Sequence, residues 1–65
     1  MNEVYALFTA MVRARVACWT FGNDSVQADG ARHWLKTLRA LPSWSWDLQD
    51  AAVEMYQDWR IQTGY

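Results

Sequence analysis

Four acidic residues recur towards the end of the chain: Asp47, Asp50, Glu54 and Asp58. On a helix that spacing lines them up on one stripe, neighbours about 5–6 Å apart. Carboxylates do acid–base work when burial or a close charge shifts their pKa. These four share one polar face, so nothing in the pattern activates them. Three readings of the stripe stand. It is a solvated helix face, or a docking edge for a basic protein surface. Or it imitates a phosphate backbone and occupies a nucleic-acid channel. Asp47 and Asp50 also lie near the start of their helix, where the dipole favours negative charge.

The other reactive side chains are few. There is one cysteine, Cys18, and one histidine, His33. An intrachain disulfide is therefore excluded, and so is a Cys/His zinc set. Cys18 falls inside an apolar arc and reads as an inert core thiol. His33 falls on the polar side of its own helix, near Thr37 and Asp29 in angle, and reads as exposed. A nucleophilic cysteine needs a base beside it, and His33 is on the wrong face to supply one. No catalytic, cofactor-binding or metal-ligating set emerges. The expectation is a non-enzymatic protein without a cofactor.

Two features have chemistry of another kind. Arg15 sits amid Met11, Val12, Cys18 and Trp19. A buried guanidinium needs partners. It either snorkels to the surface along its stem, pairs with a carboxylate of helix 3 or a loop, or faces a partner. The second feature is Pro42-Ser43-Trp44-Ser45-Trp46. If both tryptophans are helical they point about 200° apart. Trp44 then joins the Leu48, Met55 and Trp59 stripe as core or as a lid on the core. Trp46 shares its side only with Val53. Three fates follow for Trp46: a second helix contact, a fold-back over the bundle end, or an exposed anchor for a partner with Val53 and Tyr56 beside it.

Those residues need elements to position them, and the chain punctuates itself into three. Val4, Leu7, Phe8, Met11, Val12, Cys18 and Trp19 recur at helical spacing over about residues 3–21. Ala6, Ala10, Ala14 and Ala17 flank that arc and allow close approach by a neighbour. Gly22 offers a C-terminal stop. Asp24 and Gln27 read as a capping box for helix 2, about residues 25–41; the alternative start is near Asp29, because Gly30 weakens the first turns. Ala31, Trp34, Leu35, Leu38 and Leu41 form its apolar face, and Arg32, Lys36 and Arg39 its basic flank. Pro42 ends it. Helix 3 starts at Ser43 or Ser45 as N-cap and covers about residues 44–62. Leu48, Ala52, Met55 and Trp59 form its apolar stripe. The expected fold is all-α: one domain, residues 1–65, an antiparallel up-down-up three-helix bundle with helix 1 in the centre.

Composition narrows the function. Sixty-five residues with ten Phe, Trp or Tyr, five of them Trp, make a small core that depends on aromatics or on a partner. A net charge of −1 argues against nucleic acid as the partner. No stretch suits a membrane span. The segment VYALFTAMV is preceded by Glu3 and followed by arginines, the wrong order for a signal peptide. A lone cysteine suits a reducing compartment, so a cytoplasmic location is expected. A start at Met and an end just after the last helical pattern suggest a complete short gene product.

The expected function is protein–protein interaction: a small inhibitor, adaptor or regulator docking on a larger protein, of a kind common among phage and mobile-element accessory genes. Trp46, Val53 and Tyr56 are the candidate apolar contacts; Asp47, Asp50, Glu54 and Asp58 are the candidate polar rim. Two other classes compete. One is nucleic-acid-directed, as the acidic mimic or as a weak helix-turn-helix binder using helix 2. The other is a structural subunit or a symmetric homodimer that completes the core.

Overall fold

Each helix begins on a side chain that accepts from the N–H of its third residue, one of the free donors of the first turn. In the computed structural model, which describes residues 2–65, helix α1 spans Glu3–Phe21, and Asn2 caps it by accepting from the Tyr5 N–H at 2.7 Å. Gly22 closes it with φ +93°, and its N–H donates to the Cys18 carbonyl. Helix α2 spans Val26–Arg39. Its cap is Ser25, not Asp24: the Ser25 hydroxyl accepts from the Ala28 N–H at 3.1 Å and donates to the Gly22 carbonyl at 2.7 Å. One serine thus closes the turn and starts the helix, Gln27 falls out of capping-box register, and Gly30 lies within the helix.

Helix α2 stops two residues earlier than the pattern predicts. The Trp44 N–H donates to the Leu41 carbonyl at 3.0 Å, with Pro42 at the position of the turn that its fixed φ suits. Ser45 then caps α3, accepting from the Leu48 N–H at 3.2 Å. Helix α3 therefore runs Trp46–Thr63, and Trp44 lies ahead of it. Gly64 ends it at φ +80°, its N–H donating to the Arg60 carbonyl at 2.8 Å.

The molecule is a small all-α three-helix bundle with α1 in the centre. Helix α1 packs against both α2 and α3, which make no close backbone approach to each other. The direction of each helix follows from what it meets. Near one end, Ala6 and Leu7 of α1 share an apolar cavity of about 140 Å³ with Leu38 and Leu41 at the end of α2 and Leu48 at the start of α3. Near the other end, Cys18 meets Arg32, and Arg15 meets Tyr65. So α2 runs against α1 and α3 runs with it.

The core is slight and rests on small residues. Among the described residues Leu7 of α1 is the one large side chain fully enclosed, and Ala10, Ala28 and Ala52 are buried, at least one from each helix. The contact face of α1 is centred on Leu7, Ala10 and Ala14, towards the alanine ridge. That shift corrects the expected arc: Trp19 is 63% exposed, and Trp34 of α2 is also largely exposed. The exposed surface of 4643 Å² exceeds the roughly 4,300 Å² usual for this mass. Exposed large apolar side chains on all three helices, among them Phe21, Val26, Trp46 and Ile61, go with that excess.

Candidate interaction surface

The turn before α3 decides the fate of the two tryptophans. Ser45 between them is extended, φ −146° and ψ 164°, and side chains two apart on extended backbone share a face. The indoles therefore meet edge to face, centroids 4.9 Å apart at 68°. The 200° separation does not arise, because the helix starts at Trp46. Trp44 lines the apolar cavity with Leu7, Leu38, Leu41 and Leu48, as a lid on the bundle end. Trp46 is 72% exposed.

The lid is held by a residue that the sequence reading passed over. Gln49 is one turn into α3 and almost fully buried. Its Oε1 accepts from the Trp44 indole N–H at 3.2 Å and from Arg39 Nε at 3.3 Å. An indole N–H turned inward wants an acceptor even when the ring is only half-buried, and the glutamine supplies it while bridging α2 to α3. The sequence held no usable signal for it: on a helix Gln49 falls on the polar side with Trp46 and Val53, and periodicity marks only apolar positions. Trp44, Trp46, Arg39 and Gln49 together line one shallow depression.

The other predicted site residues spread along α3. Asp47, Asp50, Glu54 and Asp58 are all exposed. Among the described residues the one ion pair is Arg32–Asp29, within α2, so the stripe has no cation against it. Among the described residues, none of the basic flank Arg32, Lys36 and Arg39 pairs with a carboxylate of the stripe. Val53 is half-buried. Tyr56 is half-buried and stacks on Trp59, centroids 5.9 Å apart. It does not line the depression under Trp46 but a larger groove, about 490 Å³, between α2 and α3.

That groove holds the arginines. Its lining includes Met11, Ala14, Leu35 and Tyr56, with Arg15, Arg32 and Arg39 among them. Arg15 is half-buried and pairs with no side-chain carboxylate. Its Nε donates to the Tyr65 main-chain oxygen at 2.8 Å, its Nη2 donates to the same oxygen, and its guanidinium lies 5.3 Å from the Trp19 ring. Tyr65 in turn stacks on Trp59 and meets Trp19 edge-on. Arg32 donates to the Asn23 carbonyl, to Asp29 and to Cys18 Sγ at 3.3 Å. The Asp29 carboxylate pushes the Arg32 pKa further up, so this cation stays charged throughout the ordinary pH range. Cys18 is half-buried at the groove, not a core thiol. His33 is exposed.

Among the described residues, no three His, Cys, Asp or Glu side chains come together as a metal site requires. No described helix is long and apolar enough to cross a membrane. No family model, curated protein or solved structure matches the chain.

Proposed function

We propose that the protein is a non-enzymatic interaction module that docks on a larger protein through the Trp46 end of the bundle, as a small inhibitor, adaptor or regulator would. The observation that carries this is the state of Trp46. It is mostly in water, yet its ring is fixed against Trp44, which Gln49 holds from below. A large aromatic already ordered before binding loses little entropy when a partner covers it, and tryptophan is the residue most enriched among interface hot spots. Asp47 and Asp50 beside it supply a polar rim, with Glu54 and Asp58 extending it along α3. Val53 and Tyr56 contribute less apolar area, since both are already half covered.

The test is affinity capture from nuclease-treated lysate, followed by titration of the purified partner with wild type and Trp46→Ala at matched helicity. A loss of about 2 kcal/mol or more of binding, with unchanged thermal stability, supports the reading. Equal affinity for both proteins refutes it. Self-association through the same end is the second reading, favoured by the slightness of the core. A concentration-dependent mass in sedimentation that Trp46→Ala abolishes would favour it.

A further inference from the structure

The groove between α2 and α3 calls for a different ligand from the Trp46 end. Its floor is apolar, formed by Met11 and Ala14 of α1 with Leu35 of α2, and three guanidiniums line it. Each guanidinium carries five donors. Arg15 makes two hydrogen bonds, both to one oxygen; Arg32 makes three; Arg39 makes one, at 3.3 Å. Among the described residues most of these donors meet no protein acceptor, and Asp29 is the only side-chain carboxylate paired with any of them. Arg15 directs two donors to the Tyr65 main-chain oxygen, at the groove's edge rather than within its lining. Donors in a planar fork suit carboxylates and phosphates alike.

We infer that this groove is a second binding site, for an acidic amphipathic helix of another protein whose carboxylates pair with Arg15, Arg32 and Arg39 while its apolar strip covers Met11, Ala14 and Leu35. Such a helix would fill the gap that α2 and α3 leave and complete a four-helix arrangement. Nucleic acid fits less well. Three cations neutralise few phosphates, the chain is net negative, and the floor is apolar. A second copy of the chain also fits less well. Its acidic stripe lies on the side of α3 away from Tyr56, so copy-to-groove docking would be head-to-tail and would extend into open chains rather than a closed dimer. The site shares only Arg39 with the Trp46 depression and does not rest on the function proposed there.

The probe is a capped, fluorescein-labelled helical peptide with a leucine strip flanked by glutamates, paired with its glutamine isostere. Fluorescence anisotropy at low salt reads binding to the full chain. The glutamate peptide is expected to bind about tenfold or more tightly than the isostere, a gap that narrows as salt screens the charges. Arg32→Gln and Arg39→Gln, at helicity matched to wild type, are each expected to weaken it about tenfold. Trp46→Ala should leave it within about twofold. The inference is overturned if the two peptides bind alike, if neither saturates, or if both arginine variants bind as wild type does. It is also overturned if a short single-stranded DNA binds more tightly than the peptide, or if the chain dimerises through a contact that Arg39→Gln abolishes.

Discussion

Gln49 shows how one polar side chain can set the geometry of a candidate site. Its single oxygen accepts from both Trp44 and Arg39, so replacing it with leucine keeps the volume and strands two donors. Leaving a buried donor unmet costs about 1–3 kcal/mol. Gln49→Leu is therefore expected to lower stability by about 1 kcal/mol in urea titration, since Trp44 is only half-buried and water reaches part of it. The Trp44–Trp46 pairing should loosen at the same time, seen as reduced near-ultraviolet circular dichroism. An unchanged near-ultraviolet spectrum would show that the pair stands without the glutamine. The same residue marks a limit of sequence reading. A lone Gln on a helix reads as surface, because periodicity records only apolar positions; a half-buried indole waiting for an acceptor is visible only once the turn at Pro42 is known. Trp46 was legible as an exposed candidate, though for the wrong reason. Opposed helical angles suggested it, whereas an extended Ser45 puts both rings on one side.

At the scale of elements, the stops and starts were readable where one residue type dictates the backbone, and blurred where two residues compete. Gly22 and Gly64 both take positive φ; Gly64 has the αL conformation expected just past a helix end, whereas Gly22, at ψ 157°, takes an extended positive-φ conformation that favours glycine. Pro42 bounds α2 as its ring requires, but how far the turn reaches back into α2 is a tertiary matter. Asp24 and Ser25 are both good caps, and only the second hydrogen bond of Ser25, to Gly22, decides between them. Two glycines test this account against each other. Gly30 lies inside α2, and an added methyl there meets nothing within 4 Å. Gly30→Ala should thus raise stability by about 0.5–1 kcal/mol through helix propensity. Gly22 has just as much room, but its φ of +93° strains any side chain, so Gly22→Ala should cost about 1–2 kcal/mol. Thermal melts of both variants separate space from backbone conformation. If both alanines stabilise, the positive-φ stop at Gly22 is not what ends α1.

For the whole molecule the decisive fact is that α1 is a hub. The radius of gyration, 11.8 Å, is above the roughly 11 Å typical of this length, as an open bundle requires. The three-helix pattern and the central place of α1 could be read from its nearly all-round apolar circumference. The openness could not, because amphipathic periodicity gives each helix a face but does not say whether the two outer faces close on each other. The consequence for energetics is specific. Ala28 of α2 and Ala52 of α3 are both fully buried, and α1 is the one helix whose backbone comes close to either, since α2 and α3 touch only through long side chains such as Arg39 and Gln49. Removing their methyl groups should act on two separate interfaces. Ala28→Gly and Ala52→Gly each cost helix propensity and burial, about 1–2 kcal/mol. In a Gly30→Ala background, chosen to keep the double variant folded, the two losses should add to within about 0.5 kcal/mol. The Arg39–Gln49 link between the outer helices predicts the opposite for its own pair: Arg39→Gln and Gln49→Leu share one contact and should fall short of additivity. Strong coupling between Ala28 and Ala52 in chemical denaturation would mean that α2 and α3 close on each other in solution. The groove lined by Arg15, Arg32 and Arg39 would then be shut, and the acidic helix would have nowhere to bind.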